Sequence, residues 1–265
     1  MSEPLVPRPA ATVMMVRDGA QGFEVLMLMR NLNSDFVGGA YVFPGGGVDE
    51  ADSSSTAEHR VEGVTDVSAS ARLGLGSGGL AYYVACLREL FEEAGLLVAH
   101  DEQSRAVRFD DPEIVARFAQ HRRGVNDRAI RFLDVISEEN LRLDLSSLEY
   151  VAHWVTPVGP PRRYDTRFFV ALAPEAQLAA HDQGETVADL WVRPSDALER
   201  QRRGELEMIF PTIRNLEAIA NFNSAGDVLN YARSLREIPR IEPRIVNRSG
   251  EIAILLPGDE GFELA

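Results

Sequence analysis

Three glutamates, Glu89, Glu92 and Glu93, stand at i, i+3 and i+4 in the run Arg88-Glu89-Leu90-Phe91-Glu92-Glu93-Ala94-Gly95-Leu96. A helix through that run puts the three carboxylates on one face and turns Leu90 and Ala94 into a core. Like charges at this spacing repel by roughly 0.2–0.5 kcal/mol per exposed pair, so the triplet contributes nothing to packing. A hard divalent cation, which wants several oxygen ligands, does gain from it. Arg88 lies four residues before Glu92, within reach to orient a carboxylate and favour its ionised form. Gly95 is placed to cap the helix C-terminus. Tyr82, Tyr83, Val84, Cys86 and Leu87 keep the upstream stretch apolar, and nothing between Leu80 and Ala94 breaks a helix. Taken alone, the same residues also read as a solvated acidic face beside a core stripe.

The stretch Phe43-Pro44-Gly45-Gly46-Gly47 decides between these readings. Together with residues 88–96 it resembles the Nudix hydrolases, whose box reads G-x5-E-x7-R-E-U-x-E-E-x-G-U, U being aliphatic. Residues 88–96 match every defined position, Gly46 matches the opening glycine, and Asp52 stands where the family has Glu. The spacing departs from the pattern. Arg88 follows Asp52 by 36 positions where the box has 8, so 28 residues are inserted. Arg60 sits at the uninterrupted distance, but Val61-Glu62-Gly63 after it does not continue the box.

The resemblance implies a Nudix fold, a mixed sheet between helices, and hydrolysis of a diphosphate linkage. It places Glu89, Glu92 and Glu93 as metal ligands, Glu92 and Glu93 among the catalytic residues, and Arg88 as the arginine that orients one of them. It assigns Gly45 and Gly46 to the turn that supports the site. Oxygen-only ligands point to Mg²⁺, with Mn²⁺ as a substitute. Many members add an acidic residue outside the box as a further ligand or a base. Glu185, six residues before Trp191, occupies such a position, and Asp182 and Asp189 compete with it.

Leu26, Arg30, Gly39 and Phe43-Pro44-Gly45-Gly46 also match part of the coenzyme A diphosphatase signature, while Asp35 stands where its second arginine belongs. The interrupted box, and Trp154-Val155-Thr156-Pro157 followed by Arg162-Arg163-Tyr164, resemble the peroxisomal branch of those enzymes over about residues 10–200. The resemblance implies a nucleoside diphosphate derivative as substrate: coenzyme A or an acyl derivative, giving 3′,5′-ADP and a phosphopantetheine. Arg30, Gly45, Gly46, Arg162 and Arg163 are the candidate substrate-binding residues, the last two suited to a terminal phosphate. ADP-ribose, nucleotide-sugar and oxidised-nucleotide hydrolysis use the same site and stay open. So does a ligand-binding module without catalysis, although the retained glutamates weigh against it.

Composition narrows the partners. The chain has 265 residues, 27 basic against 41 acidic, for a net charge of −14, and every basic residue is Arg. Such a surface repels nucleic acid and anionic lipid, and the absence of Lys removes any Schiff-base chemistry. Cys86 is the single cysteine, in an apolar run, and the five histidines form no zinc pattern. No 18-residue apolar stretch occurs, so the expectation is a soluble, cytoplasmic protein whose oligomeric state, a homodimer included, stays open.

Periodicity and turn signals predict an α+β architecture, an α/β/α sandwich if helices cover both sheet faces. Residues 1–9 read as a lead-in and residues 10–203 as the Nudix domain. Within that domain, residues 53–79 are an insertion expected to be a loop excursion, either an inert surface loop or a lid over the site, that ends in a flexible Gly74-Leu75-Gly76-Ser77-Gly78-Gly79 linker. Strands are expected near residues 11–16, 23–29, 150–155, 167–172 and 189–192, with helices near 112–121, 127–136 and 195–203. Residues 204–265 read as a helical pair (209–221 and 225–235) and a tail hairpin packed on the domain.

Overall fold

A computed structural model describes residues 5–32, 38–182, 184–248 and 251–264; Asp35 lies outside them. Arg8–Gly19 (β1) and Gly22–Arg30 (β2) form an antiparallel hairpin, and Tyr41–Val42 (β3) and Gly45–Gly47 (β4) follow. Next come Ser55–Arg60 (α1), Val61–Glu62 (β5), Asp66–Leu73 (α2), Gly79–Ala94 (α3) and Ala99–His100 (β6). Pro112–Asn126 (α4), Phe132–Glu138 (α5), Arg142–Asp144 (β7), Glu149–Val155 (β8), Tyr164–Leu172 (β9) and Thr186–Val192 (β10) continue the chain. Pro194–Arg202 (α6), Phe210–Ile219 (α7), Ala225–Ser234 (α8), Arg240–Ile241 (β11), Arg244–Arg248 (β12) and Glu251–Leu255 (β13) complete it.

The main sheet runs β10-β2-β1-β9-β8-β11, with β3 paired to β2 and β4 to β1. β1 pairs β9 in parallel and β2 antiparallel, so the sheet is mixed. Its central strands are near-continuous apolar runs because both faces are covered. Val13, Met15, Leu26 and Leu28 turn to one core, with Leu87, Leu90 and Phe91 of α3. Met14, Val16, Val25 and Met27 turn to the other, with Leu216, Ile219, Val228 and Leu229 of α7 and α8. Full burial of one such side chain contributes about 1.5–3 kcal/mol. The result is an α/β/α sandwich in which the C-terminal pair, with α6, covers one face. Among the described residues, no helix is long and apolar enough to cross a membrane.

The inserted residues do not form an unstructured excursion. They fold into α1, β5 and α2, and β5 pairs β7 in a second, three-stranded sheet with β6. Ala57, Val61, Ala69 and Leu73 are buried in the α3-side core. The Gly-rich stretch is a bonded turn rather than a flexible linker: Asp66 accepts from the Gly78 and Leu80 amides at 3.1 and 3.0 Å. A Cβ on Gly79 would come 2.3 Å from the Ser70 nitrogen, so that glycine lets α2 lie against the start of α3.

Other elements shift at their ends. α4 runs five residues past the expected stop, to Asn126. Its start is as expected, with Asp111 accepting from the Glu113 amide at 2.8 Å and Pro112 in the first turn. Asp127 caps α4, and a turn through Arg128, at φ 56°, delays α5 to Phe132. The Gly45-Gly46-Gly47 turn is itself a short strand, paired with Ala10, Ala11 and Thr12, without a left-handed φ at any of the three. β3, β5, β6, β7 and β11 have no counterpart among the strands expected from sequence.

Candidate active site

α3 presents the acidic triplet as its spacing requires, and Gly95 ends it in the left-handed region at φ 69°. The two separated parts of the box meet at Arg88, which is 7% exposed. Its Nε and Nη2 donate to the two oxygens of Asp52 at 2.9 and 3.0 Å, a two-pronged fork. Nη1 donates to Glu89 at 2.8 Å and to Glu92 at 3.2 Å, and Nη2 also reaches the Gly47 carbonyl at 2.7 Å. Asp52 is held in turn by the Asp49 amide at 2.8 Å. The shorter carboxylate standing for the family's Glu therefore makes a full arginine fork.

The glycines of β4 bring backbone against the triplet. A Cβ on Gly46 would lie 2.5 Å from a Glu89 carboxylate oxygen, and the Gly45 amide donates to Glu93 at 2.9 Å. A side chain there would push the Glu89 carboxylate out of its present place. Gly45 is restricted for another reason: a Cβ there would meet the Ala11 carbonyl at 2.5 Å and Thr12 Cα at 2.6 Å.

Glu185 comes to the same place from the other side of the sheet edge. Its carboxylate pairs with Arg30 at 2.9 Å, its carbonyl accepts from the Asn31 amide at 2.8 Å, and Asp182 accepts from its own amide at 3.1 Å. Asp182 also accepts from the Thr186 amide and hydroxyl, both at 2.8 Å, and is thereby spent on shaping the loop. Asp189 is paired with His181 at 2.8 Å. The loop docks on the end of the box helix, where the Ala180 amide donates to the Ala94 carbonyl at 2.9 Å.

Burial sets the electrostatics. Desolvation raises the pKa of Glu89 to about 7 despite Arg88, and the negative charges of Glu92 and Glu185 add to the rise. Glu93 is pushed well above the usual carboxylate range by burial and by the charges of Glu89 and Glu185. Glu92 and Asp52 are raised as well, mainly by desolvation, against the pull of Arg88. Among the described residues no cation pairs with Glu93. The site thus concentrates buried carboxylate oxygens with too little positive charge nearby, a donor set that fits a hard divalent cation. In this conformation the side chains bind to Arg88 and Gly45 rather than to one another, and among the described residues no three carboxylates converge on a single point.

A cavity of about 430 Å³ opens beside them, lined by Arg30, Gly45, Gly46, Glu89, Arg162 and Glu185 among others. Its lining also includes the aromatic rings of Trp154, Tyr164, Phe168 and Phe210, with Trp154 and Phe210 packed edge to face at 5.9 Å. Arg163 does not join it. Its guanidinium donates to the Thr156 carbonyl at 3.0 Å and to the Leu5 carbonyl at 2.6 Å, and it pairs with Glu242. The expected phosphate ligand is a tie between the N-terminus, β9 and the segment before β12. Phe210, Thr212 and Ile254, from the C-terminal region, also line the cavity and carry no sequence motif.

A family model described as the NUDT19 Nudix domain matches residues 75–219, more than half the chain. The chain is 29% identical to the acyl-coenzyme A diphosphatase NUDT19 of Gallus gallus over 283 residues, covering 91% of this chain and 73% of that protein. It is likewise 29% identical to the Homo sapiens protein of the same name over 272 residues, covering 91% and 72%. A crystal structure of a Nudix hydrolase from Alicyclobacillus acidocaldarius superposes with a TM-score of 0.67 at 29% identity, covering 85% of this chain and 96% of that one. With the interrupted box closed by the Asp52–Arg88 fork, these likenesses make the chain a member of the Nudix hydrolases, in the NUDT19 Nudix domain family.

Proposed function

We propose that the chain hydrolyses the diphosphate of coenzyme A or an acyl derivative, releasing 3′,5′-ADP and the corresponding phosphopantetheine. The observation that carries this reading is one cavity lined by both Glu89 and Glu185 under the Gly45-Gly46 strand. Its setting is a chain similar over most of its length to proteins named acyl-coenzyme A diphosphatases. Glu89, Glu92 and Glu93 would hold Mg²⁺, or Mn²⁺ in its place. That ion supplies charge neutralisation at the phosphoryl oxygens and an acidified water.

The protein's own groups do the rest. Arg30 pairs with Glu185, which lines the cavity. Glu185 takes the proton of the attacking water as its oxygen bonds to phosphorus. The bond from that phosphorus to the bridging oxygen breaks, and the electron pair leaves on the departing phosphate. Arg162 sits where a terminal phosphate of the nucleotide half can be met.

The test is turnover of purified protein with Mg²⁺ on coenzyme A, acetyl-coenzyme A, ADP-ribose and nucleoside triphosphates, with products separated by chromatography. The expected result is 3′,5′-ADP from the coenzyme A species at the highest kcat/KM of the panel. Preferred cleavage of ADP-ribose or a triphosphate would overturn the substrate assignment.

A further inference from the structure

We propose that the outer face of the β12–β13 hairpin is a track for the acyl chain of an acyl-coenzyme A; this rests on the reading above. Ile245 and Ile254 face each other across the hairpin, and Ile252 follows two residues along on the same face as Ile254. They are 44, 43 and 77% exposed, whereas Leu255, of opposite orientation, is buried at 7%. One β-ribbon therefore shows three branched apolar side chains to solvent on a single face, with Asn247 opposite Ile252 as its polar member, a largely apolar strip of the kind that binds a ligand.

The position of that face names its occupant. Ile254 and Pro243, the residue just before β12, line the same cavity as Glu89 and Gly46. A ligand held in the cavity can therefore continue outward onto the isoleucines by way of Ile254. An acyl-coenzyme A has that shape: its acyl chain is tethered to the diphosphate through the pantetheine arm and leaves the site by one end. The nucleotide half has polar partners in the same cavity, where Thr156, Arg162 and Tyr164 are among the lining residues. The hairpin lies outside the main sheet, so its apolar face completes no core.

The experiment measures two slopes against chain length, from free coenzyme A through saturated acyl-coenzyme A species of two to twelve carbons. One is kcat/KM with Mg²⁺; the other is affinity by calorimetry in chelator. Wild type should gain about twofold per methylene over the carbons that lie on the face, as half-buried CH₂ groups do. Ile245→Ser and Ile252→Ser should each reduce both slopes, and the double variant should flatten them. Slopes that are flat in wild type, or unchanged in the double variant, would overturn the track while hydrolysis of free coenzyme A kept the activity standing. Chain-length-dependent binding without any hydrolysis would sink the activity and leave the track. A double variant that halves the molecular mass in light scattering with its slopes intact would make the face a contact between two copies instead, which also overturns the proposal.

Discussion

At the scale of single residues, the site is defined by carboxylates that are buried faster than they are neutralised. Between about pH 4.5 and 7 the metal-free fold holds a proton on Glu89 that the unfolded chain has released. Stability therefore falls as pH rises through that window, the reverse of a salt-bridged acid. Thermal melts in chelator should give a lower Tm at pH 8 than at pH 5, and Mg²⁺ should raise Tm more at pH 8. Glu89→Gln should flatten this dependence; if it leaves the dependence intact, the buried carboxylate is not its source. Glu93→Gln and Glu92→Gln should each abolish most turnover with the fold retained, and near-normal kcat in both at saturating Mg²⁺ would remove them as ligands. Glu185→Gln should lower kcat by about two to four orders of magnitude while changing Mg²⁺ affinity less than Glu93→Gln does. An unchanged kcat/KM from pH 6 to 9 would reduce Glu185 to a partner of Arg30.

At the scale of elements, neighbouring glycines in β4 answer to different constraints, and two alanine substitutions separate them. At Gly46 the added Cβ meets the flexible end of Glu89, which can swing aside. Gly46→Ala should keep its melting temperature within a few degrees and lose activity. At Gly45 the obstacle is β1 backbone, so Gly45→Ala should cost about 1–3 kcal/mol by overpacking. Denaturant unfolding beside kcat resolves the two, and equal stability losses would refute the distinction. The same elements show what sequence can carry. The triplet, its arginine and the Gly95 cap were legible because their geometry is local to one helix. β1 and β2 were legible because burial on both faces leaves a continuous apolar run. α2 was not: Val67 is 81% exposed, and its helix rests on the Thr65 cap and on the contact of Ser70 with Gly79, nine residues on. Arg162 and Arg163 are chemically identical neighbours in sequence. Only the chain's path sends one to the cavity and the other to Glu242.

At the scale of the whole molecule, β1 organises both halves, lying between β2 and β9 with a core on each side. The segment before Gly76 contributes β1 to β4 and Asp52; the segment after it contributes α3, the rest of the sheet and the second helical layer. The Asp52–Arg88 fork and the β1–β9 ladder join these segments side chain to side chain and strand to strand. Gly76 lies in an exposed turn, and loop tips of this kind tolerate cutting, so covalent continuity there should be dispensable. A chain nicked after Gly76 by an engineered protease site should elute as one species and keep its turnover. Fragments that separate, or that stay together without activity, would show that the connection itself maintains the site. If they hold, residues 1–76 and 77–265 constitute a naturally divisible enzyme, whose two polypeptides can be fused to separate proteins and regain hydrolysis only when those proteins meet.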